Sequence, residues 1–295
     1  MTPQTAAVIL LRVFSGIPLA FRKALFIALA FLFYLVVPRQ RFIALHNLSR
    51  AFPEKSPAEI GKIARGVYRH IGILAAEFFE SPRLTREKIL QSMTIEGWEH
   101  CRRALEKGKG MLLLTGHLGN WELSVTIFAL LVKPLTAIYR PLDNPVLEAM
   151  VRQIRESAGN KTLPKDRAMR PMLRTLKQNG VLGILIDQNV AWYEGVFVPF
   201  FGRKACTTDG IALLALHTGA PVLPGFLIRQ PDGRYLIKFL AEVETIRTGD
   251  RRQDVLTNTR RYNEILEELI RQYPDQWLWI HHRWKTRPSQ VRERA

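Results

Sequence analysis

The spacing of apolar residues predicts two helices in the first 80 positions. Residues 24–37 carry no charge and lie between Arg22-Lys23 and Pro38-Arg39. Further along, Ser56-Pro57-Ala58-Glu59 is typical of a capped helix start. Apolar residues then recur at helical spacing from Ile60 to Phe78. The pattern therefore predicts an apolar helix followed by an amphipathic helix.

From about residue 93, short apolar runs alternate with helical patterns. Buried strands are predicted at 111–115, 135–139 and 181–186, and a hairpin at 222–228 and 235–240. Helices are predicted at 121–131, 145–157, 168–179, 209–218 and 252–272. This alternation is typical of an α/β fold, in which helices flank a sheet on both faces. We expect the sheet to be mixed, because the hairpin adds antiparallel strands.

We interpret residues 1–40 as a membrane-anchoring apolar segment and residues 41–295 as the globular domain. Fourteen uncharged residues form a helix of about 21 Å, which is shorter than a hydrocarbon core of ~30 Å. The segment is therefore a buried core helix, an interfacial helix, or a spanning helix that borrows residues from 6–21. We expect membrane attachment. A cleaved signal peptide is disfavoured, because no small-residue cleavage site follows Val37.

Composition narrows the classes of function. Hydrophobic residues make up 47% of the 295 positions, which excludes a disordered chain, and two cysteines exclude a disulfide scaffold. The chain has 43 Lys and Arg against 26 Asp and Glu, a formal net charge of +17. This excess indicates polyanionic partners. Because the charge is spread over the chain rather than gathered in a tail, we expect phosphorylated ligands or an anionic membrane, and no nucleic acid.

The segment from Thr115 to Glu122, with the sequence TGHLGNWE, carries the strongest chemical signal. It joins a predicted strand to a predicted helix, where functional groups of α/β sheets collect. With His117 in the turn and Glu122 in the first helical turn, the carboxylate can face the imidazole as a catalytic dyad. We also expect Gly116 and Gly119 to leave backbone N–H groups free for developing negative charge. The alternative is that His117 only caps a buried turn.

No competing catalytic motif is present in the sequence. It contains no G-x-S-x-G elbow, no Walker A sequence and no Cys/His spacing typical of zinc. A histidine base that activates a substrate hydroxyl, without a covalent intermediate, is the simplest mechanism. Nothing in the sequence predicts a metal or a cofactor.

Further candidate residues lie after the same strand ends. Arg140 follows a predicted strand and Arg155 lies on the next helix, and both suit phosphate binding. Asp187 ends the third buried strand on the same sheet edge as His117. We also expect Arg167 to face phosphate. For each arginine, a solvated surface position is the alternative, and for Asp187 a helix cap.

The sequence resembles the late lipid A biosynthesis acyltransferases of the lauroyl/myristoyl type, in the lysophospholipid acyltransferase superfamily. The superfamily motif His-x-x-x-x-Asp/Glu corresponds to His117 and Glu122, and the resemblance runs from about residue 35 to 288. Other stretches that match in order are His46-Asn47-Leu48, Ala51-Phe52-Pro53, Tyr139-Arg140-Pro141, Asp143-Asn144-Pro145, Asp187-Gln188, Pro199 to Gly202, Gly219-Ala220-Pro221 and Trp279 to Lys285.

The resemblance implies a glycerol-3-phosphate acyltransferase-like fold and transfer of a fatty acyl chain to a hydroxyl of a lipid A precursor. It further implies acyl carrier protein as donor, a glycolipid acceptor, contact with membrane lipid, and a location on the inner membrane with the active site facing the cytoplasm. It assigns an important arginine to Arg155, with Arg152 as the alternative, and a functional aspartate to Asp187. Two alternatives remain. One is acyl transfer from acyl-CoA to another glycolipid such as a phosphatidylinositol mannoside, and the other is a non-catalytic basic protein that binds membrane or nucleic acid.

Overall fold

A seven-stranded mixed sheet organises the chain, in a computed structural model that describes residues 2–166 and 168–289. The strands of this sheet and of a separate two-stranded hairpin, β6–β7, are β1 Met93–Glu96, β2 Met111–Thr115, β3 Thr136–Tyr139, β4 Lys161–Pro164, β5 Val181–Leu185, β6 Gly195–Phe200, β7 Arg203–Thr208, β8 Val222–Arg229 and β9 Tyr235–Phe239. The helices are α1 Pro3–Gly16, α2 Leu19–Val36, α3 Pro38–Ala51, α4 Pro57–Phe78, α5 Arg86–Ser92, α6 Trp98–Glu106, α7 Trp121–Leu131, α8 Pro145–Glu156, α9 Met169–Lys177, α10 Gly210–Thr218 and α11 Arg251–Gln272.

The order of strands across the sheet is β1-β9-β8-β2-β5-β3-β4. Neighbouring strands are parallel except β8 and β9, which form the predicted antiparallel hairpin. This confirms the predicted α/β class with a mixed sheet. In the central pair, Thr115 of β2 lies opposite Leu185 of β5. The segments that leave these two strands therefore start side by side.

Both faces of the sheet are buried. Leu112 and Leu114 of β2 belong to one apolar cluster, together with side chains of α4, α10 and α11. Met111 and Leu113 belong to a second cluster, together with side chains of α6 and α7. Successive side chains of a strand point to opposite faces, so a strand covered on both sides reads as a continuous apolar run. This is why the run at 111–115 predicted a buried strand correctly.

The β6–β7 hairpin was not predicted from the sequence. Pro199 lies within β6 and weakens the strand signal, because proline cannot donate a ladder hydrogen bond. The hairpin turns at Phe201 and Gly202, whose φ angles are 49° and 69°. Its two strands pair antiparallel outside the main sheet, and α11 packs against β6.

The apolar N-terminal segment forms two helices. After α1, the chain breaks at Ile17-Pro18, and α2 then runs for 18 residues, about 27 Å at 1.5 Å per residue. By length and composition α2 can cross a membrane, and only 6% of its residues are buried. Its exposed large side chains include those of Phe21, Leu25, Leu29 and Leu32.

Two basic residues near the start of α2 turn towards the rest of the chain. The Arg22 side chain is fully buried and forms an ion pair with Glu80. Its guanidinium also donates to the carbonyl oxygens of Ala76 and Phe14, each at 2.7 Å. The Lys23 ammonium lies 2.6 Å from the Glu77 carboxylate in α4. These contacts dock α2 on α4 by charge as well as by apolar packing.

Replacing Arg22 with methionine should destabilise the protein by about 3 kcal/mol, because it unpairs Glu80 and two carbonyl oxygens at a buried position. Arg12→Met is the matched control, since Arg12 is exposed on α1. Thermal unfolding of both variants in detergent checks this. Equal melting temperatures for the two variants would contradict a structural role of the Arg22 contacts.

Candidate active site

Strand register brings His117 and Asp187 together. Each residue lies two positions beyond a residue of the registered pair Thr115 and Leu185. The Nδ1 atom of His117 lies 2.8 Å from one carboxylate oxygen of Asp187, and the backbone N–H of His117 donates to the other at 2.7 Å. The expectation that both residues lie on one sheet edge is thus met by direct contact.

The Asp187 carboxylate is fully buried and held by three donors. Besides the two groups of His117, the Trp277 indole N–H donates to it at 2.7 Å. Burial favours the neutral acid, but the charge and hydrogen bonds of His117 outweigh it and hold the pKa of Asp187 well below its usual range. Asp187 is therefore ionised, and an ionised carboxylate only accepts hydrogen bonds.

This geometry fixes the tautomer of His117. Because Asp187 accepts, the Nδ1 atom carries the proton, and the lone pair lies on Nε2. The only recorded hydrogen-bond neighbour of Nε2 among the described residues is the side-chain amide of Gln188, at 3.3 Å. The His117 side chain is 17% exposed. The site thus has an unprotonated ring nitrogen on a side chain that is partly open to solvent.

Glu122 makes a different contact from the one expected. Among the described residues its recorded hydrogen bonds go to Arg155, whose Nε and Nη2 atoms lie 2.9 and 2.6 Å from the two carboxylate oxygens. Glu122 lies in the first turn of α7, which packs against α8 where Arg155 lies. The carboxylate on His117 is Asp187 instead, because it lies opposite in strand register.

Two of the predicted phosphate-binding arginines have a described environment. The guanidinium of Arg155 is largely occupied by Glu122, and it lies over the Tyr139 ring at 5.7 Å. Arg140 is 74% exposed and pairs with Asp143 across the solvent-facing loop after β3. Arg140 is therefore accessible to a ligand. Arg167, the third, lies outside the described residues.

The expectation of free backbone donors in the turn is wrong for three N–H groups. That of His117 donates to Asp187, that of Gly119 to the Gln276 carbonyl at 3.0 Å, and that of Asn120 to the Leu227 carbonyl at 2.8 Å. These three N–H groups bind the turn to neighbouring segments and are not available to a ligand. Any stabilisation of negative charge must come from other donors.

A C-terminal segment, residues 277–286, closes the site as a strap. The backbone N–H of Leu278 donates to the His117 carbonyl at 3.0 Å. At the other end, Thr286 exchanges hydrogen bonds with the Asn189 side chain. Between them, burial lowers the pKa of His281 to about 4, so His281 is neutral and does not compete as a base. No sequence pattern indicated that Trp277 would bind Asp187.

Gly119 is the position where the turn tolerates no side chain. Its φ angle is +63°, and a Cβ atom would lie 2.0 Å from the Leu227 carbonyl oxygen. Gly108 has nearly the same φ angle, +67°, but open space around it. An alanine at Gly108 therefore has only the energetic cost of a positive φ angle, whereas an alanine at Gly119 has that cost and a steric clash as well.

Gly119→Ala should lower the free energy of unfolding by ~3 kcal/mol more than Gly108→Ala, which should cost about 1 kcal/mol. Chemical denaturation of both variants measures the difference. Similar costs at the two positions would mean that the backbone around Leu227 moves away easily, and that the turn is less rigid than its contacts indicate.

The chain is similar to several known proteins. The chain is 29% identical to the lipid A biosynthesis lauroyltransferase of Escherichia coli over 257 residues, which cover 87% of this chain and 82% of that protein. It is 26% identical to a phosphatidylinositol mannoside acyltransferase of Mycolicibacterium smegmatis over 212 residues, 70% of this chain and 67% of that protein. The crystal structure of a 1-acyl-sn-glycerophosphate acyltransferase from Thermotoga maritima aligns with a TM-score of 0.42 and 14% identity, covering 88% of this chain and 99% of that one.

The sequence model of one family matches almost the whole chain, from residue 3 to residue 286. The match includes the His117 turn, Asp187 and the whole strap. It sets aside the alternative of a non-catalytic basic protein. The chain belongs to the bacterial lipid A biosynthesis acyltransferases.

Proposed function

We propose that this acyltransferase moves a fatty acyl chain from a thioester on acyl carrier protein to a hydroxyl of a lipid A precursor, with His117 as general base. The observation that carries the proposal is the contact of Asp187 with Nδ1 of His117, at 2.8 Å. Because this contact places the proton on Nδ1, it leaves the lone pair of Nε2 free to act as a base. The family supplies the class of reaction and acceptor, and the geometry supplies the base.

The proposed reaction is a single acyl transfer. The Nε2 atom of His117 takes the proton of the acceptor hydroxyl, and the oxygen attacks the thioester carbonyl carbon. The C–S bond then breaks, and the sulfur leaves as a thiol with the proton returned by the imidazolium. Ionised Asp187 stabilises the imidazolium while it carries that proton. Neither metal nor cofactor takes part in the proposed step.

Glu122 and Arg155 form the second charged pair of the proposed site. Glu122 lies five residues after His117 and directs the Arg155 guanidinium through two hydrogen bonds. We assign Glu122 to positioning Arg155, and Arg155 to contact with substrate through its remaining N–H groups. We assign the exposed Arg140 to phosphate contact at the solvent-facing edge of the proposed site. Arg167 is a further phosphate contact, predicted from the sequence.

The charge of the protein supports the proposed donor and location. Acyl carrier proteins are acidic, and a net charge of +17 favours their encounter electrostatically. The exposed apolar side chains of α2 support attachment to a membrane. We place the enzyme on the inner membrane with the active site towards the cytoplasm, where acyl carrier protein is available.

An acyl-transfer assay tests the proposed reaction. Purified protein in detergent receives a tetra-acylated lipid A precursor and acyl carrier protein charged with C12, C14 or C16 chains. We expect a mass gain of one acyl group, and a kcat roughly 10³- to 10⁴-fold lower for His117→Ala because the base is lost.

Transfer only from acyl-CoA, to a phosphatidylinositol mannoside, would contradict the donor and acceptor proposed here but keep His117 as base. No transfer to either acceptor would contradict the proposal entirely. Thermal unfolding of His117→Ala serves as the folding control, so that loss of activity is not mistaken for loss of structure.

The roles of the two carboxylates can be separated by their effects on kcat and KM. Asp187→Asn should lower kcat by about 10³-fold or more with the acceptor KM little changed, because the imidazolium loses its counter-ion. Glu122→Gln should mainly raise the acceptor KM, because Arg155 loses the carboxylate that directs it. A kcat loss in Glu122→Gln together with a KM effect alone in Asp187→Asn would reverse the assignment.

A further inference from the structure

Three segments meet beside the strap: the end of α3, the turn of the β6–β7 hairpin, and the strap itself. The Asn47 side chain of α3 donates to the carbonyl oxygens of Trp279 and His281, at 3.0 and 2.9 Å. The Phe52 ring contacts the Phe201 ring of the hairpin turn at 5.5 Å between centroids. These buried contacts fix the three segments relative to one another.

Each segment places basic side chains on the surface next to those contacts. His46 and Arg50 flank Asn47 on α3, Arg203 follows the hairpin turn, and His282 follows His281 in the strap. All four residues are exposed, whereas Asn47, Phe52 and Phe201 beside them are buried. We call these four residues the basic cluster.

The four side chains are close enough to act on one another. Partial burial lowers the pKa of His46, and so do the positive charges of Arg50, Arg203 and His282. Desolvation lowers the pKa of Arg203, and so does the charge of Arg50. In the described part of the chain, no carboxylate forms an ion pair with any member of the cluster. The nearby Glu267 is occupied by Arg271 and by the backbone of Phe201. Basic side chains that have no carboxylate partner among the described residues favour an anionic ligand.

We propose that the basic cluster binds a phosphate group of the glycolipid acceptor. This inference rests on the proposed function and adds a second point of contact for the same substrate. Two arginines that converge from different segments suit a compact, multiply charged oxyanion, because each guanidinium can donate two parallel hydrogen bonds.

Position supports an acceptor phosphate over other anions. The strap that carries His282 also contacts the His117 carbonyl through Leu278, so the cluster lies at the catalytic edge of the sheet. On the other side, α3 directly continues the apolar helix α2, and its Phe42 side chain is 61% exposed. The cluster therefore lies between the base and the apolar surface that we assign to the membrane, where the headgroup of a lipid substrate must be held.

The double variant Arg50→Gln/Arg203→Gln tests the cluster, with Lys109→Gln/Lys177→Gln as matched control. Lys109 precedes β2 and Lys177 ends α9 before β5, so the control removes two exposed charges at the opposite edge of the sheet. Kinetics use the phosphorylated tetra-acylated precursor and the same lipid after enzymatic removal of its phosphates. Equilibrium binding of radiolabelled precursor, without acyl donor, is measured in parallel.

We expect the Arg50/Arg203 variant to raise the KM and the Kd for the phosphorylated precursor about tenfold or more, with kcat within twofold of the wild type. The dephosphorylated lipid should bind wild type and variant alike, and the control should behave as the wild type. Arg50→Lys keeps the positive charge but cannot donate two parallel hydrogen bonds. Its KM and Kd for the phosphorylated precursor should therefore lie between those of the wild type and those of Arg50→Gln.

An equal loss for both forms of the lipid would overturn the proposal, because it would indicate binding to the membrane surface or a structural role. Unchanged constants would overturn it as well. Wild-type protein that binds the phosphorylated precursor in a cluster-dependent way but transfers no acyl chain would contradict the proposed function alone, since the binding measurement needs no turnover.

Discussion

The buried carboxylate of Asp187 is the constraint on which the rest of the site depends. An ionised group without access to water is tolerated only when donors surround it. Here the donors come from the turn after β2, through His117, and from the strap, through Trp277. One of these three hydrogen bonds, that of Nδ1, also sets the tautomer of His117, the proposed base. A substitution at Asp187 should therefore affect both the stability of this region and the orientation of His117.

A second buried carboxylate links this site to the N-terminal helices. Glu77 accepts hydrogen bonds from Asn120 and Tyr235 and pairs with Lys23 of α2. Asn120 caps α7 through Leu123 and directly follows the catalytic turn. The apolar helix is thus tied to the residues that hold the turn in place. The helix that we propose as the membrane anchor is therefore packed against the same residues that hold the His117 turn.

The sequence predicted what depends on local pattern. The run at 111–115, the helix at 121–131 and the hairpin across Asp232-Gly233 all follow from periodicity and turn residues, and the structure has them nearly as predicted. It did not predict which carboxylate faces His117, because that depends on strand register between segments 70 residues apart. The sequence also did not predict the partner of Glu122, because Arg155 contacts it from another helix.

The position of the strap near the end of the sequence affects when the site can form during synthesis. Trp277 follows Asp187 by 90 positions, so during synthesis the apolar helices and the sheet emerge before the last donor to Asp187 exists. Domains begin to fold from the N-terminal side as the chain is made. The apolar helix α2 is therefore made well before Trp277, and the Asp187 carboxylate gains its third donor only once the strap has been made. The contacts that hold the His117 turn are thus completed near the end of synthesis.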